Sequence, residues 1–584
     1  MLEAIRIEHP RPDRIRKDWC SLNGQWDFAF DRNKTGKKEK WYLRFPSAQK
    51  IEVPFAYQSK LSGIESEEAV DVVWYSRKIS IPEEMKDRRL LHFGAVDYLA
   101  DVWLDGQYLG GHEGGYTPFA FDITDLTQAG KEYNLTVRAE DRLEYDQPRG
   151  KQSARPECWG CWYTPVTGIW QSVWLEGVGE YYPVDVRLTP CMERASLKAE
   201  VSLNELPSNA QLHFTASFNG DVVAEQYVSV TTDRYVATEL FLRHNECLEG
   251  IHMWEPHNPA LYDLSVETIV DGMVQDHLDT YFGMRKIEIV KGTITINNHV
   301  LYQRLILDQG YWPDGLLTAP SGEALRRDVE MTKALGYNGA RKHQKFEDPR
   351  YLYWADKLGL LVWGELPSSY WLRDSEKRNM MRDLSEAIKR DYNHPCLIAW
   401  VPINESWGVP FIQTQKEAQQ LADALYHMVH SLDGTRYVSG NDGWEQASSD
   451  VLTIYDYTAW PEQLSKQYDN EETTLNGHPG SARVVTANGY DHHGKPKLLT
   501  EYGGIAMAKD SGDGNWGYNG AASDEKAFLE RFEAITQAFK HMPGFVGYCY
   551  TQLTDVFQEV NGLLDMDRNP KASVEEIRRI NLQR

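Results

Sequence analysis

The sequence predicts a multidomain protein of the β plus α/β class, two β-sandwiches followed by a C-terminal (β/α)8 barrel. Three observations predict it. The 584 residues are enough for about three to five domains at roughly 100–200 residues each. Up to about residue 180, and again over 181–285, short alternating runs are broken by turn signals. From about residue 286 apolar runs of strand length alternate with amphipathic helical segments, the pattern of parallel strands joined by helices.

In the first region (1–180) the strands read as Trp26-Asp27-Phe28-Ala29-Phe30, Trp74-Tyr75-Ser76-Arg77-Lys78-Ile79-Ser80 and Ala100-Asp101-Val102-Trp103-Leu104. The last is followed by Asp105-Gly106, a two-residue hairpin signal. The second region (181–285) repeats the pattern in Ala199-Glu200-Val201-Ser202-Leu203 and Tyr262-Asp263-Leu264-Ser265-Val266. Its length suits an immunoglobulin-like sandwich. In the third (286–584), helical segments are expected over 323–335, 376–390, 413–431 and 523–540. Eight strands are expected to end near Leu307, Ala340, Trp363, Ile403, Ser439, Tyr455, Thr500 and Tyr550. That gives roughly 37 residues per unit, the size of a (β/α)8 repeat. An open doubly wound sheet could be written from the same strands, but no glycine-rich phosphate loop follows the first.

Composition narrows the partners. With 62 Lys and Arg against 86 Asp and Glu, the net charge of -24 repels nucleic acid and anionic membrane. No run of about 18 apolar residues occurs and the N-terminus is charged, so a soluble cytoplasmic chain is expected. Seven scattered Cys fit a reducing compartment. The one close pair, Cys158 and Cys161, has no second pair to complete a zinc site, and no cofactor or metal is expected.

In a barrel the chemistry collects where strands end. Strand one is followed by Asp308, Gln309, Tyr311, Trp312 and Asp314, and strand two by Arg341, His343 and Lys345. Strand three gives Glu365, strand four Asn404 and Glu405, strand six Asp456 and Tyr457, strand seven Glu501, and strand eight Gln552 and Asp555. Glu405 and Glu501 stand in apolar or aromatic surroundings at strand ends that face each other across a barrel mouth. Two such carboxyls are what glycosidic hydrolysis needs, one protonated to release the leaving group and one ionised to meet the oxocarbenium-like carbon. Trp400 and Trp407 flank Glu405 and would raise its pKa by desolvation. The competing reading is a buried structural bridge from each Glu to Arg341 or Lys345.

From end to end the chain resembles glycoside hydrolase family 2. The resemblance rests on Leu22-Asn23-Gly24-Gln25-Trp26-Asp27-Phe28, Gly114-Gly115-Tyr116-Thr117-Pro118-Phe119, Gly168-Ile169-Trp170-Gln171-Ser172-Val173-Trp174 and Tyr281-Phe282-Gly283-Met284-Arg285. In the barrel it rests on Asn393-His394-Pro395 through Asn404-Glu405, and on Thr500-Glu501-Tyr502-Gly503. It implies a jelly-roll sandwich, an immunoglobulin-like sandwich and a catalytic TIM barrel. It further implies Glu405 as general acid/base and Glu501 as nucleophile of a retaining double displacement. Asn404 would hold the sugar 2-hydroxyl, Tyr457 would donate to the nucleophile, and Arg341 would keep Glu501 ionised.

Departures from the family's pattern bear on the substrate. Where its glucuronidases carry Asn-x-Lys to grip a carboxylate, this chain reads Glu559-Val560-Asn561, and an anion at Glu559 would repel a uronate. Lys345 is the cation that could reach one from another side. The family's sandwich-borne aspartate beside the 6-hydroxyl falls on Trp162, whose ring cannot ligate sodium. The acid and His that bind magnesium in large galactosidases are missing after Glu365. Thr551 replaces a strand-eight tryptophan, leaving Tyr311, Trp312, Trp371, Trp444, Trp460 and Trp516 as candidate sugar platforms. His343 could bond a 3- or 4-hydroxyl, and Asp308 is a candidate hydroxyl acceptor.

The expected protein is a retaining exo-β-glycosidase acting on a terminal neutral sugar of an oligosaccharide or glycoside. β-Galactosidase leads, being the family's commonest assignment and the uronate grip being missing. β-Glucosidase, α-L-arabinopyranosidase and β-galactofuranosidase are alternatives, ahead of β-glucuronidase or galacturonidase and of a non-catalytic carbohydrate-binding protein. A homo-oligomer is the expected assembly.

Overall fold

The computed structural model describes residues 2–86, 88–242, 250–477, 483–510, 512, 514–540 and 542–583. In the first sandwich a six-stranded antiparallel sheet, in spatial order 49–53, 24–30, 72–80, 132–140, 99–104, 107–113, faces a four-stranded one ordered 119–122, 88–93, 173–178, 19–21. Alternation along 72–80 sends Val73 and Tyr75 into the core with Trp26, Phe28, Leu91 and Val137. Trp74 points the other way and is covered by Trp41 and Tyr42. Asp105 (φ 46°) and Gly106 (φ 81°) turn the chain between Leu104 and Gln107, which pair directly, as a hairpin with positive φ at both turn residues requires.

The second sandwich packs a five-stranded sheet against a three-stranded one (183–191, 196–203, 235–241) over Val201, Phe214, Val266 and Leu278. Its edge strand comes from the chain's start: Arg14 and Ile15 pair with Thr280 and Asp279. The sequence reading put these residues in the first sandwich. Their neighbour Arg16 reaches Asp276 (2.8 Å) in the second sandwich and Glu176 (3.2 Å) in the first, riveting the two together where burial makes an unpaired charge costly.

The barrel strands are β1 (Gln303–Asp308), β2 (Gly339–Lys342), β3 (Leu361–Glu365), β4 (Leu397–Val401), β5 (Tyr437–Val438), β6 (Leu452–Tyr455), β7 (Lys497–Gly503) and β8 (Phe545–Thr551). All ladders are parallel, in the order β5-β4-β3-β2-β1-β8-β7-β6. Two-residue β5 is too short to form a ladder with β6. That seam is held instead by Val438 N donating to Asp450 Oδ2 (2.7 Å) and by Ser439 Oγ beside Thr453 Oγ1 (3.1 Å). β4 stops at Val401, two residues before the expected end, because Pro402 has no N–H to give a ladder. β7 continues past Thr500, with a register irregularity between Leu499 and Tyr502 that brackets Glu501. Such irregularities re-aim side chains beside active sites.

Two joints fix the sandwiches to the barrel. Asp356 on helix Pro349–Leu358, fully buried, accepts from Tyr281 OH (2.8 Å), from His394 Nδ1 (2.5 Å) and from Cys396 N (2.8 Å). On the opposite side the first sandwich's 149–163 segment crosses the barrel mouth. Arg149 N and Gly150 N donate to Ser368 O (3.0 and 3.1 Å), Tyr370 OH to Gly150 O (2.5 Å), and Gln558 Nε2 to Gly160 O (2.9 Å). No helix among the described residues is long and apolar enough to cross a membrane.

Candidate active site

Arg341 is the hub. Fully buried on β2, its guanidinium donates Nε to Glu365 Oε2 (2.9 Å), Nη1 to Glu501 Oε1 (3.1 Å), and Nη2 to Asn404 Oδ1 (2.7 Å) and Tyr455 OH (2.6 Å). Asp442 Oδ2 lies 3.1 Å from Nη1. Three carboxylates thus share one planar fork, a role for which Arg is built and Lys is not. Burial would pull the guanidinium down, but Asp442, Glu365 and the other groups around it hold it well above its ordinary range. Glu501, almost fully buried, receives a second donor at its other oxygen, Tyr457 OH to Oε2 at 2.6 Å. Both oxygens being donated to marks this group as a carboxylate.

Glu405 is built differently. It follows β4 in a left-handed turn, φ 51° at Glu405 and 56° at Ser406, a conformation costing non-glycine residues about 1–2 kcal/mol each. The surroundings impose it: Glu405 N donates to Asp442 O (3.0 Å), Ser406 N to Asn441 Oδ1 (2.9 Å), and Ser406 Oγ to Glu445 Oε2 (3.0 Å). Among the described residues, no cation pairs with its carboxyl. Burial first, and then the charge of Glu501, raise its pKa to about 7, against the lowering pull of Lys151 and of the Trp407 N–H. A carboxyl held protonated near neutrality beside an ionised one is the split of roles that general acid and nucleophile require. The structural-bridge alternative holds for Glu501, which pairs with Arg341, but not for Glu405.

Asn404 is fully buried. Its Oδ1 is engaged by Arg341 and Tyr455, while its Nδ2 has no partner among the described residues. A buried amide N–H without an acceptor is costly, and a sugar hydroxyl in the site would satisfy it.

The other expected residues divide. Glu559 is buried and accepts from Tyr163 OH at Oε2 (2.7 Å) and from Asn561 Nδ2 at Oε1 (3.3 Å), and Asn561 in turn is held by Gln552 Nε2 (2.9 Å). Trp162 bonds Tyr370 OH through Nε1 (2.7 Å) and packs against Trp407, ring centroids 5.9 Å apart. With Trp159, Tyr370 and Trp444 these rings make a continuous aromatic wall beside Glu405. His343 is buried with Nδ1 3.0 Å from Arg341 Nη2 and 3.2 Å from Glu365 Oε1. Burial and then Arg341 push its pKa well below the ordinary value, so it stands neutral within the Arg341 network.

Two expectations are corrected. Asp308 is not a free hydroxyl acceptor: Oδ2 takes Lys342 Nζ (2.7 Å) and Oδ1 takes Gly310 N (2.8 Å). It pairs across the ladder with Lys342, one step out of phase with Arg341, and a one-residue step reverses the side a strand residue faces. Lys345 cannot reach a substrate carboxylate. Its ammonium donates to Gly310 O and Leu317 O (2.8 Å each) and pairs with Glu347 (2.9 Å). Among the candidate platforms, Tyr311 and Trp312 are core residues, Trp312 lying under Arg568 at 3.6 Å, whereas Trp516 packs on Tyr518, which stacks on Tyr457.

The sequence reading missed Lys151, Asp442 and Tyr455. Lys151, buried on the 149–163 segment, lies with its ammonium 5.9 Å from the Tyr163 ring. Burial would lower its pKa, but Cys161, Glu559, Glu405 and Glu501 together raise it. Among the described residues, the one Asp/His/Cys cluster tight enough for a metal is Asp356, His394 and Cys396. It lies at the domain joint with Asp356 already engaged at both oxygens, so it does not fit an ion.

A carboxyl raised toward neutrality by burial, facing one held by an arginine and a tyrosine at a barrel mouth, makes a site that can cleave a glycosidic bond. Comparison with known proteins agrees. Residues 19–175 match the sugar binding domain of glycosyl hydrolases family 2, 182–285 match that family's central region, and 287–583 match its TIM barrel domain. The chain belongs to glycoside hydrolase family 2. It is 22% identical over 601 residues to a β-glucuronidase of Streptococcus agalactiae, covering 96% of this chain and 95% of that one. It is 28% identical over 455 residues to a β-galactosidase of Thermoanaerobacter pseudethanolicus, covering 75% of this chain and 57% of that one. A relative from Formosa agariphila is likewise spanned over 48% of its length, so the chain covers about half the length of these two relatives. The crystal structure of Ruminococcus gnavus β-glucuronidase superposes with a TM-score of 0.78 at 19% identity, over 98% of this chain and 97% of that one, a likeness of fold.

Proposed function

We propose that the protein is a retaining exo-β-glycosidase acting on a terminal neutral sugar, with β-galactosidase as the leading activity. The observation that carries the reading is the contrast between Glu405, raised to about 7 with no cation paired to it among the described residues, and Glu501, clamped by Arg341 and Tyr457. Glu501 attacks the anomeric carbon while Glu405 gives its proton to the leaving oxygen. Water, deprotonated by Glu405, then releases the sugar from the glycosyl-enzyme. Asn404 Nδ2 is placed to bond the 2-hydroxyl, a contact that strengthens in the transition state. The 149–163 segment across the mouth favours cleavage at a chain end. Domain extents of 1–180, 181–285 and 286–584 accompany this reading, with Arg14–Ile15 lent to the second sandwich.

Glu559 supports a neutral sugar, since a buried carboxylate stands where a uronate's carboxylate would need a cation. One observation favours a second reading, β-glucuronidase: the ammonium of Lys151 lies close enough to Glu559, Glu405 and Glu501 for their charges to raise its pKa. Initial rates on nitrophenyl β-galactoside, β-glucoside, β-glucuronide, α-L-arabinopyranoside and β-galactofuranoside, each beside Glu501→Gln, test both. A neutral glycoside turned over fastest, abolished in the variant, with the β-anomer released first, is the expected result. A uronide in first place overturns the neutral reading.

A further inference from the structure

Lys151 presents an unusual combination. It belongs to the first sandwich, whereas the carboxyls around it belong to the barrel. It is 6% exposed, yet among the described residues no carboxylate lies within ion-pair distance of its ammonium. Its hydrogen-bonding neighbour is the Cys161 thiol. Its backbone is fixed, Tyr163 N donating to Lys151 O at 2.8 Å, and the segment is pinned to the β3 loop through Ser368. A buried ammonium with donors to spare is expensive unless something enters to accept from it.

The opposite charge is one residue away through space. Tyr163, whose ring lies beside the Lys151 ammonium, donates its hydroxyl to Glu559. Burial raises the pKa of Glu559, and the Lys151 charge and the donors at its two oxygens, Tyr163 and Asn561, oppose that rise and favour the acceptor form, with lone pairs remaining. The pocket wall therefore offers a cationic donor from one domain and an anionic acceptor from another, held apart by a tyrosine that touches both. The two carry opposite charge. Of the other acids nearby, Glu501 is paired with Arg341 and burial raises Glu405 to about 7.

We propose that Lys151 and Glu559 form a cross-domain pair that reads neighbouring hydroxyls of the glycone, the ammonium donating to one and the carboxylate accepting from the next, and that Glu559 is what excludes a uronate. The proposal rests on the glycosidase reading and names the recognition chemistry of that site. It requires an uncharged polyol face on the substrate, because a carboxylate there would satisfy Lys151 while confronting Glu559 without a proton to share. Removing the charge of Glu559 leaves Lys151 uncompensated and converts the same wall into an anion site.

The test is the ratio of kcat/KM on nitrophenyl β-glucuronide to that on the best neutral nitrophenyl glycoside, measured for the unaltered protein, Glu559→Gln, Lys151→Met, Lys151→Arg and the Glu559→Gln/Lys151→Met double variant. Because both substrates meet the same sample, the ratio does not depend on how much of a variant is folded. Glu559→Gln is expected to raise the ratio at least tenfold and the double variant to lose that gain. Lys151→Met is expected to raise KM for the neutral glycoside at least tenfold, and Lys151→Arg to restore part of it. A ratio unchanged within twofold in Glu559→Gln, a gain that survives in the double variant, or a unaltered protein that prefers the uronide overturns the proposal. Silence of the unaltered protein on every glycoside is a different result, and sinks the glycosidase reading itself together with the proposal.

Discussion

Trp407 donates its indole N–H to Glu405 Oε2 at 3.1 Å, so the ring that walls the pocket also stabilises the anion of the group read as its acid. The bond pulls Glu405 down while burial and Glu501 push it up, and the balance falls at about 7. As the proton donor, Glu405 works only while protonated, so kcat/KM is expected to fall as pH rises through about 7. Trp407→Phe removes a bond to the ionised form alone. Its alkaline limb should therefore move upward by about 0.5–1 unit in a pH–rate profile, and a downward shift would contradict the assignment.

The same raised carboxyl destabilises the fold. An ordinary Glu titrates near 4.3, so between about pH 4.3 and 7 the folded protein keeps a proton that the unfolded chain has released. Stability contributed by that proton is present below this window and lost across it, roughly 3–4 kcal/mol by pH 8. Glu405→Gln is expected to raise Tm at pH 8 and leave it nearly unchanged at pH 4.5, while abolishing turnover of unactivated glycosides.

Protonation matters less when the leaving group is already acidic. Glu405→Ala should cost at least 100-fold in kcat/KM on an alkyl glycoside but far less in glycosylation by a dinitrophenyl glycoside, whereas Glu501→Gln should silence both. Equal losses for the two leaving groups in Glu405→Ala would remove Glu405 from the acid role.

Arg341 is the shared cationic partner of Glu365, Asp442 and Glu501. Arg341→Met strands buried anions, and about 3–5 kcal/mol of destabilisation is expected in a denaturant titration. Arg341→Lys keeps the charge without the fork, so it should recover part of that stability and little of the activity.

At the other joint, Asp356→Ala removes the acceptor shared by Tyr281, His394 and Cys396 N. Three buried donors lose their partner at once, each worth about 1–3 kcal/mol. A Tm drop large enough to separate sandwich and barrel transitions in calorimetry is expected, with KM of the surviving folded enzyme little altered.

Which parts of this were legible follows from how each residue is encoded. Glu405 and Glu501 stand directly at the ends of apolar runs, where strand pattern and chemistry coincide, and Arg341 ends a strand in the same way. Asp308 misleads because spacing alone does not say on which side of β1 a terminal residue faces. Lys345 misleads because the loop that carries it turns back to the backbone of Gly310 and Leu317. Asp442 follows a strand only two residues long, too short for any periodicity to mark its end. Lys151 lies some 190 residues upstream of Arg341 in an irregular segment, and nothing in its neighbours' pattern points to the barrel. Contacts between domains are written in shape complementarity, which a linear text does not carry.

The segment 149–163, a piece of the first sandwich, spans the mouth like a bridge whose two piers stand on the barrel, at Ser368–Tyr370 and at Gln558. A barrel that matured ahead of its sandwich would expose Glu405 and Glu501 to bulk water, with Glu405 relaxed toward an ordinary carboxylate and the recognition wall half built. Such a nascent molecule would be inert toward sugars rather than indiscriminate. Competence would arrive with the final act of assembly, making turnover itself a readout that the whole chain has come to rest.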